Sequence, residues 1–95
     1  MATFLMFGKY SPKSLKGASH SRTKEALDLV KQFQGHVEAM YATLGPNDLV
    51  VVATFPGTPE AMQASIALTK LTGIGFTTSP ALEVEAFDKL LADVQ

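Results

Sequence analysis

The side chains best suited to chemistry in this 95-residue sequence are Tyr10, His20, Arg22, Tyr41 and the hydroxyl run Thr77-Thr78-Ser79. His20 is the best single catalytic candidate. It lies just before a predicted helix, where free amides can hold an anion, and an imidazole there can move protons near neutral pH. It has no orienting partner evident in the sequence, which a general base needs, so a solvent-facing loop histidine is the plainer reading. Tyr10 and Tyr41 are the only tyrosines. Either can offer a hydroxyl to a ligand in a mostly apolar pocket. The plainer reading of Tyr41 is a packed strand residue with its hydroxyl at the rim. Arg22 can pair with a carboxylate or phosphate, against a plainer reading as surface charge. Thr78 is the ligand-facing candidate of the hydroxyl run, since alternate strand residues face opposite sides.

Several chemistries are excluded or unsupported. There are no cysteines, hence no disulfide, no thiolate metal site and no cysteine nucleophile. His20 and His36 are the only histidines and fall in separate elements without metal-ligand spacing, so no metal site is expected. No cofactor is expected either. Haem is the one left open, with His20 as its axial ligand. Gly73-Ile74-Gly75 follows a helix instead of opening one, the wrong order for a dinucleotide.

The elements that must position these residues follow from patterning. A chain this long forms one domain, residues 1–95. Apolar residues make up 46%, too many for disorder. The longest apolar run, Leu49 to Ala53, is far short of a membrane span, and Met1 to Lys9 does not read as a signal peptide; a cytoplasmic protein is expected. Net charge is −1, but residues 1–35 carry six basic groups against Glu25 and Asp28, while the remainder carries two bases against seven acids. The basic half could draw an anionic ligand, or simply solvate a helix face.

Thr3 to Lys9 reads as the first strand. Ser11 caps a short turn with Pro12 at its first position, and Gly17 ends it. The first long helix is expected over Arg22–Gln34, capped by Ser21, with Ala26, Leu29, Val30 and Phe33 as its apolar stripe and Gly35 as a left-handed stop. A second strand follows over His36–Thr43, with Val37, Ala39 and Tyr41 on one face and His36, Glu38 and Met40 on the other. Gly45-Pro46-Asn47-Asp48 reads as a turn into a third strand, Asp48–Phe55. The second long helix starts at Thr58 as cap with Pro59 and Glu60 in its first turn, and Gly73 ends it. A fourth strand spans Ile74–Ser79, with Pro80 marking an edge. Glu85–Val94 is a short last helix with Phe87, Leu90, Leu91 and Val94 on its apolar face.

This order defines an α+β, ferredoxin-like βαββαβ fold: a four-stranded antiparallel sheet with two helices on one face. Strands 1 and 3 are apolar on both faces, so they are the expected centre. Two helices cover only one face. The bare side needs a cover, and a second copy across a two-fold axis is the simplest. The last helix is the alternative lid.

Gly8-Lys9-Tyr10, the stretch Val37 to Gly45, Asp48-Leu49-Val50-Val51-Val52 and the proline-led, alanine-rich second helix resemble the GYD domain family over nearly the whole chain. The family's Gly-x-Tyr-Asp signature here reads Gly45-Pro46-Asn47-Asp48, with Asn47 in the tyrosine's place. The resemblance implies a dimeric α/β barrel, a homodimer through the open sheet face, and a small-molecule pocket between sheet and helices. The wider superfamily includes cofactor-free monooxygenases, isomerases and haem-dependent enzymes, which fold alone does not transfer. Three functions follow as expectations: a binder of a small organic molecule, a non-catalytic homo-oligomeric assembly domain, and, further off, a cofactor-free monooxygenase or isomerase. Nucleic acid is not expected, because the third strand lacks the basic and aromatic residues that stack on bases. A membrane partner is not expected either.

Overall fold

The computed structural model describes residues 1–94. Four strands, β1 (Ala2–Lys9), β2 (His36–Ala42), β3 (Leu49–Phe55) and β4 (Gly75–Ala81), form one antiparallel sheet in the order β2-β3-β1-β4. A short helix, α1 (Pro12–Lys16), follows β1; the long helices α2 (His20–Gln32) and α3 (Thr58–Thr72) connect β1 to β2 and β3 to β4; α4 (Val84–Ala92) follows β4. This is the ferredoxin-like α+β arrangement. Strands β1 and β3 are central as their two-sided apolarity requires, and Pro80 sits in edge strand β4, where a missing N–H leaves no gap in a ladder.

The core lies between the sheet and the long helices. Phe4 and Met6 of β1 and Val51, Ala53 and Phe55 of β3 are buried against Val30 of α2 and against Ala61, Ala64 and Leu68 of α3. The two alanines let α3 approach the sheet closely. Phe4 and Phe55 meet edge to face, with ring centroids 5.9 Å apart, a geometry worth about 0.5–1.5 kcal/mol beyond area burial. On the opposite face Leu5, Phe7, Val50 and Val52 remain only half-buried, outside the core between sheet and helices.

Local geometry departs from the sequence reading at several points. Helix α2 begins at His20, two residues early, because the Ser19 hydroxyl accepts the Arg22 N–H at 3.1 Å; Ser21 is inside the helix. Its left-handed stop is Gln34 (φ 63°), not Gly35. Gly35 is required for another reason: a Cβ there would run into the Phe55 ring and stand 2.8 Å from Val30. In β2 a bulge between Val37 and Ala39 reverses the alternation. Val37 pairs with Ala53 and Met40 with Val51 on the helix side, while His36, Ala39 and Tyr41 share the open side. Helix α3 is capped by Gly57 without a side-chain bond, with Thr58 already helical; Gly73 ends it as expected, in the left-handed conformation (φ 76°). The last strand and helix are also shifted, β4 by one residue at its start and α4 by one, to begin at Val84. Among the described residues, no helix is long and apolar enough to cross a membrane.

Candidate functional site

A cleft opens between α2, the helix face of the sheet and the C-terminal end of α3. It is narrow, with about 70 Å³ of enclosed space, well short of a drug-sized site, so it suits only a small ligand. Its walls are apolar: Ala26, Leu27 and Val30 from α2, Val37 and Met40 from β2, and Val51 from β3. Phe76 of β4 and Ile74, just before it, close the far side. Met40 reaches this wall only because the β2 bulge turns it to the helix side.

Tyr10 and Arg22 supply the polar rim. Tyr10 follows β1, and its backbone is fixed by a bond from its N–H to the Asp48 carboxylate at 2.9 Å. Arg22 sits in the first turn of α2, and its guanidinium lies 5.9 Å from the Tyr10 ring centroid, within cation–π range. Nη1 of Arg22 donates to the carbonyl of Ser14. That carbonyl is presented by α1, whose start is locked by a reciprocal pair: Ser14 N–H to the Ser11 hydroxyl at 3.0 Å, and Ser11 N–H to the Ser14 hydroxyl at 2.7 Å. The pair is a capping box with serine in the place usually held by Glu or Gln.

The electrostatics at this rim favour an anion. Guanidinium carries five N–H donors, and one is spent on Ser14. Among the described residues no carboxylate lies within ion-pair distance of Arg22. The first turn of α2 holds no acid, so the positive end of the helix dipole adds to the Arg22 charge. Apolar walls beneath such a rim suit a molecule with a hydrophobic body and one anionic group.

The remaining candidates fall elsewhere. His20 is exposed at the first residue of α2 and does not line the cleft. His36 starts β2, the far side of a 13-residue helix from His20, with its Nε2 4.0 Å from the Glu38 carboxylate on an exposed strand. No group of three or more His, Asp or Glu among the described residues is placed to hold a metal ion. Tyr41 is 60% exposed on the open face of the sheet. Thr78 is on the helix side of β4, where its hydroxyl is hydrogen-bonded to Ser65 of α3 in a separate shallow groove beside Met62 and Pro80. The structure thus brings Tyr10 and Arg22 to one place and disperses His20, Tyr41 and Thr78.

Two contributors were not singled out. Ser14 is buried, and its carbonyl orients Arg22; the Ser11-x-x-Ser14 spacing was the available signal. Thr72 lines the cleft and ends α3 by donating to the Leu68 carbonyl at 2.8 Å while accepting the Ile74 N–H at 3.0 Å. The signature loop has a structural part to play. Gly45 takes φ 124°, a conformation that favours glycine, and Asp48 ties the loop to β1. Closure lies wider than the four-residue turn: Thr43 N–H donates to the Asp48 carbonyl at 2.9 Å, and the Thr43 hydroxyl to the Asn47 carbonyl at 2.8 Å.

Fold and cleft together define a ferredoxin-like α+β domain with one apolar, cation-rimmed cleft beneath its first long helix. The chain matches the GYD domain family over residues 4–91 and belongs to it. A comparison with curated proteins gives no match.

Proposed function

We propose that this GYD-domain protein binds a small organic anion, an apolar or aromatic body bearing a carboxylate, in the cleft under α2, and does so as a homodimer joined across the open sheet face. The observation that carries the ligand reading is Arg22: a cation over the Tyr10 ring, without a carboxylate partner among the described residues, at the mouth of an apolar pocket. The body of the ligand lies along Val30, Met40 and Val51, and its carboxylate takes the free edge of the guanidinium. Tyr10 offers its hydroxyl at the same rim. The reading stops at binding; His20, the one imidazole considered for proton transfer, lies outside the cleft.

The dimer reading is supported by the half-buried Leu5, Phe7, Val50 and Val52 in the middle of the uncovered face. A patch of that kind on a monomer is costly in water. The same observation favours a second reading, a non-catalytic assembly domain whose product is the dimer itself.

Thermal-shift measurements with benzoate, phenylacetate and salicylate, each beside its neutral amide, separate the two readings. The ligand reading expects stabilisation by at least one acid, none by its amide, and loss of the effect in Arg22→Gln. Equal shifts for acid and amide, or shifts that survive Arg22→Gln, overturn it; a dimer without any shift leaves the assembly reading.

A further inference from the structure

Helix α4 has no packed face. None of its residues is buried, and Val84, Phe87, Leu90 and Leu91 are 72%, 50%, 55% and 52% exposed. Their spacing places them along one stripe of the helix. The molecule is correspondingly long, 50 Å on its greatest axis, with a radius of gyration of 14.5 Å; a compact domain of this length measures about 12 Å. A nine-residue helix does not hold itself together in water. The sheet and the long helices of its own chain do not close over it, so its apolar stripe calls for an outside surface.

Charge identifies that surface. Glu83, Glu85, Asp88 and Asp93 in and around α4 are offset in charge only by Lys89. At the other end of the chain, Lys9, Lys13, Lys16, Arg22 and Lys24 precede the first acid, Glu25. Among them stands Leu15 of α1, 58% exposed between Lys13 and Lys16: an apolar knob in a basic setting. Within one chain the two regions lie at opposite ends of β4. Helix α4 leaves its C-terminal end, while α1 sits by its start, with Ser14 beside Gly73. A two-fold axis perpendicular to the strands, between facing sheets, sets the end of one β4 across from the start of the other.

We propose that α4 is an exchanged arm whose apolar stripe packs on a second copy of this chain at Leu15, with Glu85 and Asp88 facing that copy's Lys13 and Lys16. Two-fold symmetry makes each copy both donor and acceptor. The arm extends the sheet-face contact toward the roughly 800 Å² per partner of a stable interface. The inference rests on the homodimer proposed above.

Sedimentation equilibrium of the full chain and its variants tests it. Leu90→Glu with Leu91→Glu weakens the dimer. Glu85→Lys with Asp88→Lys, and separately Lys13→Glu with Lys16→Glu, each raise its dissociation constant about tenfold. Combining the two charge reversals restores most of the loss, which no arm folded on its own chain would do. Circular dichroism checks that each variant keeps its fold. Arm variants that leave the constant unchanged, while Val52→Glu breaks the dimer, overturn the arm and keep the sheet pairing. A full chain that stays monomeric at about 100 µM, roughly a hundred times a 1 µM dissociation constant, overturns both.

Discussion

The N–H of Tyr10 donates to the carboxylate of Asp48 at 2.9 Å, joining residues 38 apart in the chain. Asp48 returns a bond through its own N–H to the Gly8 carbonyl, also at 2.9 Å. The β2–β3 loop is thereby pinned to the end of β1, and the pin sets where the Tyr10 ring stands beneath Arg22. Removing the carboxylate in Asp48→Ala should cost about 1.5–3 kcal/mol, the range for a hydrogen bond to a charged group. Asp48→Asn, which keeps an acceptor oxygen, should cost less. Urea denaturation of the two variants checks the order.

Two glycines make a paired prediction. A Cβ at Gly35 would collide with the Phe55 ring inside the core, so Gly35→Ala should destabilise by about 1–3 kcal/mol or more. A Cβ at Gly75 meets nothing within 4 Å, and its backbone is not in the left-handed region. Gly75→Ala should therefore be neutral or stabilise by about 0.4–1 kcal/mol through the unfolded chain. Against the parent, the denaturation midpoint should fall for Gly35→Ala and stay level or rise for Gly75→Ala.

Leu5, Phe7, Val50 and Val52 are the middle of the uncovered sheet face. Val52→Glu places a charge there without touching the helix-side core. Light scattering should show a folded monomer in place of a dimer. Lys70→Glu, on the exposed side of α3, should leave the mass unchanged.

The Arg22 side chain is held by Ser14 through a main-chain carbonyl, so side-chain replacement at Ser14 acts indirectly. Ser14→Ala removes the hydroxyl that accepts the Ser11 N–H and donates to the Ser11 carbonyl, keeps the Ser14 N–H bond to the Ser11 hydroxyl, and loosens α1. Losing this half of the capping box should cost about 0.5–1.5 kcal/mol, the net worth of a typical hydrogen bond. Ligand-induced stabilisation should shrink along with it, because the carbonyl that orients the guanidinium is held less firmly. Thermal shift with and without benzoate measures both effects in one experiment.

The architecture was legible wherever patterning acts over a whole element. Apolar residues on both faces of Leu49–Phe55 and of Thr3–Lys9 can only belong to central strands, and Pro80 only to an edge. Single-residue geometry was not legible. One extra residue in β2 turns Met40 to the helix side and Ala39 and Tyr41 to the open side, and no local residue preference marks a bulge there. Ser19 and Ser21 are equally good caps by type; Ser19 prevails because its hydroxyl meets the Arg22 N–H. Gly35 read as a stop residue, whereas its lack of a side chain serves the Phe55 ring, a neighbour 20 residues away that local sequence cannot reveal. The same limit applies to the cleft. Tyr10 and Arg22 belong to different elements, and only the intervening α1 folds them together, while Tyr41 and Thr78 share their chemistry but not their location.

The most direct test of the binding site is an amide NMR titration of the ¹⁵N-labelled protein with benzoate, run in parallel on Arg22→Gln. The account predicts saturable shifts clustered on Tyr10, Thr23, Val30 and Met40, around the cleft, and their disappearance in the variant. Shifts that cluster on the open sheet face at Val50 and Val52, or that persist unchanged in Arg22→Gln, would contradict it.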